Sequence, residues 1–118
     1  MTPIFRPEAL VELHQLEKDG ASGLVKSLFD DYTANAPISV KAIEAAYSLQ
    51  DYKQVEFTAH SLKSSSKALG LEKMAELCKE IEYAADANQF ATDAITSLAK
   101  QNTLALEALS QYAATKLL

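Results

Sequence analysis

The 118-residue chain reads as an all-α protein, an antiparallel four-helix bundle with a short additional N-terminal helix. Three observations lead there. Apolar residues make up 48% of the sequence, and only three glycines and three prolines interrupt a background rich in Ala, Leu, Glu, Lys and Gln, all good helix formers. Apolar side chains recur at helical spacing through four long segments. The gaps between those segments are short, which sets successive helices antiparallel.

Pro7 suits the first position of a helix that carries Leu10, Val11, Leu13 and Leu16 along an apolar edge to about Lys18, where Asp19-Gly20 ends it. His14 interleaves with this edge and reads as partly buried packing. Ser22 is the expected N-cap of a second helix. Leu24, Val25, Leu28, Phe29 and Tyr32 set its phase, and Val40, Ile43, Ala46, Tyr47 and Leu49 continue it beyond Pro37. A proline there removes a backbone donor and crowds the carbonyl four residues before it, so the alternatives are one kinked helix or two helices. The continuous apolar phase favours a single kinked helix from about Ser22 to Leu49. After Gln50-Asp51, a third helix runs from about Tyr52 to Leu69 and stops at Gly70, a left-handed cap. A fourth spans about Glu72 to Ala87, with Met74, Leu77, Cys78, Ile81 and Ala85 inward. The last, about Phe90 to Lys116, carries Ile95, Leu98, Leu106, Leu109 and Tyr112. There is no repeat, low-complexity tract or linker, so residues 1–118 are expected to form one domain.

The third helix carries the chemistry. At about 100° per residue, Val55, Ala59, Leu62, Ser66 and Leu69 fall within roughly 40° of a common direction and form the buried stripe. Measured from that stripe, Lys63 lies near ~80°, Lys67 near ~120°, His60 near ~140°, Ser64 near ~180° and Phe57 near ~200°. His60 therefore points at solvent, flanked on its own face by two lysines. Imidazole has an ordinary pKa of about 6.5, so near neutral pH one ring nitrogen offers a lone pair as nucleophile. Phosphoryl transfer asks a protein mainly for positioning and charge compensation. Lys63 and Lys67 supply the charge, since residues three and four apart share a face. Ser61, Ser64, Ser65 and Ala68 keep the approach to the ring low. The serines themselves have no base and acid partner that would make one of them a nucleophile.

From His60 to Glu82 the chain reads HSLKSSSKALGLEKMAELCKEIE. This resembles the histidine-containing phosphotransfer domains of multistep two-component relays, whose pattern is approximately H-x-L-K-G-S-x-x-x-L-G followed by a helix of the form L-x-x-L-C-x-x-L-E. The resemblance makes His60 the phosphorylated histidine and Lys63 the lysine beside the phosphoryl group. It makes Gly70 the end of the histidine-bearing helix, Cys78 a small core position, and Glu82 the polar residue that hydrogen-bonds and orients the imidazole. Ser64 stands where the family often has glycine, which keeps the site open but adds a hydroxyl. Glu82 stands where some members have glutamine, and a carboxylate there repels a phosphoryl group unless it faces only the ring N–H.

The function the resemblance implies is that of a phosphocarrier: His60 accepts a phosphoryl group from a phospho-aspartate on one receiver domain and passes it to an aspartate on another. The partners would be receiver domains of response regulators and hybrid sensor kinases, bound transiently around the histidine and the first helix, with Phe57 and Ser61 in the docking patch. A monomer is expected.

Other classes fit less well. A net charge of −5 argues against nucleic acid as a partner. Two histidines and one cysteine, with no pair of histidines four apart, make a metal site improbable. No glycine-rich phosphate loop is present, so no ATP site and no cofactor are expected, and the protein is not read as an enzyme. The lone Cys78 fits a reducing cytoplasm, and no stretch approaches the roughly 20 apolar residues of a membrane span. Met1 to Arg6 lacks the pattern of a signal peptide, and the lack of a linker suggests a free-standing protein. The alternative from a different class is a helical interaction module that binds a receiver or signalling partner without carrying phosphate. The dimerising histidine domain of a sensor kinase would want an acidic residue after the histidine, where Ser61 stands, and a proline shortly after, where Ser64 to Ser66 stand. The phosphohistidine domain that begins a chemotaxis-type kinase would need further domains.

Overall fold

The computed structural model describes residues 1–117. It is all-helical among those residues. A 3-10 turn at Pro7–Leu10 leads into α1 (Val11–Lys18), followed by α2 (Leu24–Ser48), α3 (Tyr52–Ala68), α4 (Glu72–Asp86) and α5 (Thr92–Lys116). α2 packs on α3 and α5, and α4 packs on the same two, so the four long helices close a ring around one core. The molecule measures 45 × 24 × 23 Å. α1 rests on α2 as the expected short additional helix.

The stripe read from α3 is buried as a set: Val55, Ala59, Leu62, Ser66 and Leu69 all lie in the interior. So do Met74, Leu77, Cys78, Ile81 and Ala85 of α4. Burial drives the Cys78 thiol up to about 12, which leaves it protonated and unreactive. Ser66 is tolerated in the stripe because its hydroxyl meets the buried Tyr32 hydroxyl at 2.8 Å. Burial raises the Tyr32 phenol to about 12 against the lowering effect of that hydrogen bond, so it remains a neutral partner.

α2 runs through Pro37 as one helix, as the continuous apolar phase favoured. Its start differs from expectation. Ser22 is not the cap: α2 begins at Leu24 after Gly23, which takes φ 75°, and no side chain of the preceding residue caps it. Instead the Glu17 carboxylate, eight residues upstream on α1, accepts the Val25 N–H at 3.1 Å. That hydrogen bond, with a second from His14, holds the Glu17 carboxyl below the usual carboxylate range. The apolar edge of α1 is also only partly realised. Leu10 is fully buried and Leu13 is half-buried, while Val11 and Leu16 lie on the outer face of α1 and are exposed. Phe90 precedes α5 instead of opening it, and packs edge-on against Tyr47 and Tyr52 with ring centroids 5.9 and 6.1 Å away.

Gly70 ends α3 with φ 76° and serves a second purpose. Its carbonyl accepts the Arg6 N–H at 2.8 Å, so the N-terminal segment crosses the α3–α4 turn in contact with it. A Cβ at this position would stand 2.3 Å from the Arg6 carbonyl oxygen and 2.9 Å from Ala9 Cβ. Gly23 shares the left-handed backbone but has open space around it. Gly23→Ala should therefore cost about 1 kcal/mol, the penalty of the left-handed backbone alone. Gly70→Ala should cost that much plus about 1–3 kcal/mol for displacing the strap. Urea denaturation of the two variants checks this; equal losses would mean that the strap yields freely.

Candidate functional site

His60 sits mid-helix on α3 with its side chain 61% exposed. Its Nδ1 lies 2.8 Å from Glu82 Oε2 on α4, while the other oxygen of the same carboxylate accepts from Lys63 Nζ at 2.6 Å. Lys63 is one turn beyond His60 on α3, so both side chains reach across the same interhelical seam. Glu82 is the anchor between them and is only 16% exposed.

Two consequences follow for the chemistry. A carboxylate on Nδ1 fixes the tautomer that carries its proton there, leaving the lone pair on Nε2. No partner occupies Nε2 among the described residues, so the nucleophilic nitrogen faces solvent. The carboxylate is also covered on its second oxygen by the Lys63 ammonium, which offsets the repulsion that a bare acid would exert on an anion near the ring. Partial burial works to raise the Glu82 carboxyl, but the hydrogen bonds from Lys63 and His60 outweigh it and hold the group below the usual range. The same contact raises Lys63 above the ordinary lysine value, with desolvation opposing it, so the pair is ionised throughout the neutral range.

The remaining expected site residues lie around this triad in different states. Lys67 is exposed one turn beyond Lys63 and lines a shallow notch with it. Ser64 is exposed, and its hydroxyl donates back to the His60 carbonyl at 3.2 Å, so its proton is spent on the helix and not held out to a ligand. Phe57 is 70% exposed one turn before His60. Ser61 lines a groove of about 350 Å³ between α2 and α3, together with Leu28, Tyr32, Asn35, Ser65 and Ala68. Lys79 of α4 was not among the expected residues; its place three before Glu82 shares that residue's face, but only the fold sets it beside the α3 lysines.

The second histidine provides a control within the molecule. His14 has the same carboxylate contact, Nδ1 to Glu17 Oε1 at 2.8 Å, but its Nε2 meets the Tyr112 hydroxyl at 2.7 Å. Both nitrogens are engaged and the side chain is half as exposed as that of His60, at 31%. Only His60 has a free nitrogen facing water. Among the described residues no cluster of three or more His, Cys, Asp or Glu side chains could hold a metal, and no helix is long and apolar enough to cross a membrane.

Comparison with known proteins bears on the same region. A family model described as the Hpt domain matches residues 27–114. Multistep phosphorelay regulator 1 of Schizosaccharomyces pombe is 30% identical over 71 residues, 60% of this chain and 24% of that protein, so the chain spans about a quarter of that relative's length. The crystal structure of histidine-containing phosphotransfer protein B from Pseudomonas aeruginosa aligns with a TM-score of 0.81 at 23% identity, covering 94% of this chain and 95% of that one. That last likeness is one of fold.

The depressed Glu82 carboxyl has a sign that can be measured. A carboxyl held below its unfolded value contributes stability that is complete above about pH 4.3 and is lost as pH falls through the folded value. The stability difference between wild type and Glu82→Gln should therefore be largest near neutral pH and shrink on acidification below that point. Chemical denaturation across pH 2–7 checks it; a difference constant with pH would mean that Lys63 and His60 do not hold the carboxyl down.

Proposed function

The chain belongs to the Hpt domain family, and on that premise we propose that His60 is its phosphoryl-accepting residue, loaded from a phospho-aspartate on one receiver domain and unloaded to an aspartate on another. The observation that carries this reading is the free, outward Nε2 of an imidazole whose Nδ1 is bound to Glu82 at 2.8 Å. In the loading step the Nε2 lone pair attacks phosphorus in line and the N–P bond forms. The bond from phosphorus to the aspartyl oxygen breaks, and the aspartate leaves as carboxylate. The Nδ1 proton stays in its hydrogen bond, where the Glu82 carboxylate offsets the positive charge that the ring takes on. Unloading reverses these events. No base within the triad is placed to activate water, because Glu82 is occupied on both oxygens, which favours a carrier that holds its phosphoryl group over one that hydrolyses it.

Lys63 is the charge partner closest to the ring in this scheme, and Lys67 lies farther along the same face. We assign partner docking to the outward surface of α3 that holds Phe57 and Ser61, continued by the α2–α3 groove. The exposed phenyl ring and the shallow serine-lined groove suit the packing of an apolar side chain from the partner. Contact on this scale fits a transient complex, at or below the low end of ordinary interface sizes. The alternative, an interaction module that never carries phosphate, has no observation in its favour beyond the same groove.

His60→Gln should abolish phosphoryl acceptance while leaving the thermal midpoint within about 2 °C of wild type, because the ring is exposed and contributes little to packing. The measurement is transfer from a panel of phosphorylated receiver domains, scored as acid-labile, base-stable label. Label on the variant would move the site elsewhere, and no label on wild type despite receiver binding would favour the interaction module. In the same assay Lys63→Ala should slow transfer by about tenfold, the usual size of a lost charge-assisted contact; an unchanged rate would remove it from the site.

A further inference from the structure

α4 contributes a lysine to the neighbourhood of the histidine that neither the motif nor the triad includes. Lys79 is three residues before Glu82 and lines a notch of about 310 Å³ together with Lys63 and Lys67 of α3. The notch also has two glutamates on its walls, Glu72 and Glu76, which would cancel the lysines if left free. They are not free. Arg6 Nε donates to Glu72 at 2.9 Å, and Glu76 accepts from Lys73 Nζ at 3.0 Å on one oxygen and from the Thr2 hydroxyl on the other. Arg6 of the N-terminal segment that hangs from Gly70, and Lys73 of α4, thus offset the acid groups that would otherwise pair with the notch lysines.

The lysines differ in how far they are committed. Lys63 is bound to Glu82 at 2.6 Å. Lys67 and Lys79 are exposed and make no hydrogen bond or ion pair among the described residues. The Lys79 ammonium stands 5.6 Å from the centroid of the Tyr83 ring, a weak contact that leaves its charge free to act on an anion. In a chain of net charge −5, these two uncommitted cations, with Lys63 linking their notch to the His60–Glu82 contact, form a positive patch on one side of the ring, opposite the side where Glu56 and Asp86 meet Glu82.

We propose that Lys79 is a further positioning residue for transfer at His60, drawing the anionic phospho-aspartyl group of the incoming partner toward Nε2 together with Lys67, while Arg6 of the N-terminal strap and Lys73 of α4 keep the notch cationic by offsetting Glu72 and Glu76. The proposal rests on the phosphocarrier reading and extends it to a residue on the facing helix. Long-range attraction of this kind acts on encounter and is screened by salt. The bond-making step in the docked complex is left almost unchanged.

The test compares second-order transfer rates from a phosphorylated receiver domain to wild type, Lys79→Ala and Lys79→Arg at low and high salt, with thermal midpoints recorded for each. Lys79→Ala should be slower by roughly threefold at low salt, the effect of one exposed charge a helical turn or two away. Lys79→Arg should match wild type, the gap should close at high salt, and the rate at saturating receiver should be unaltered. Arg6→Ala, which releases Glu72 into the notch, should slow transfer in the same direction, and Glu72→Gln in the same chain should restore it. A Lys79→Ala rate equal to wild type at low salt overturns the proposal, as does a deficit that persists at high salt with a lowered midpoint. A loss in Arg6→Ala that Glu72→Gln does not restore assigns the effect to the fold and overturns the electrostatic account. Wild type that accepts no label fails the phosphocarrier reading as well, whereas labelled wild type with an indifferent Lys79 fails this inference alone.

Discussion

The Glu82 carboxylate receives the His60 ring at 2.8 Å through one oxygen and the Lys63 ammonium at 2.6 Å through the other, and both donors come from the facing helix. Everything distinctive about the site is arranged around that group. It sets which ring nitrogen keeps its proton, holds the imidazole against rotation, and has its own charge offset so that an anion can approach. The burial of Leu62 and Ala59 on one side of α3, and of Cys78 and Ile81 on the facing side of α4, fixes the separation across which this three-way contact forms. The core's contribution to function is to hold a gap between two helices constant.

The two histidines show how little distinguishes an imidazole with an open nitrogen from one engaged at both. Each has a carboxylate on Nδ1 at 2.8 Å. His14 adds Tyr112 on the other nitrogen and, with Glu17 capping α2 through Val25, becomes a rivet joining α1, α2 and α5. His60 lacks the second partner among the described residues, and its Nε2 stays open to solvent. The difference lies in whether a neighbouring helix reaches the ring: α5 brings Tyr112 to His14, while the His60 side chain stays 61% exposed between α3 and α4.

Much of this was legible in the sequence, for a physical reason. Helical phase is a local property, so the buried stripe of α3, the outward direction of His60 and the stop at Gly70 could be read from spacing alone. The Glu82 contact with the ring came from the family pattern; spacing on separate helices does not reveal it. What escaped were contacts between segments far apart in the chain. The start of α2 is capped from Glu17 and not from Ser22, because a carboxylate eight residues away reaches the free N–H in space. Val11 and Leu16 follow an apolar pattern yet stay exposed, since periodicity shows that a face is apolar but not that a neighbour will cover it. Lys79 looked like any lysine on a solvated face until the fold set it beside Lys63 and Lys67.

The route of the first six residues has a practical consequence for anyone handling this protein. They are held at Gly70 by Arg6 and at Glu76 by Thr2, so the segment runs along α4 from the α3–α4 turn toward the histidine. Thr2 already lines the lysine notch. Any affinity tag or fusion partner joined ahead of it would emerge at that notch, and a polyhistidine tag would add imidazoles on the face that Lys63 and Lys67 line.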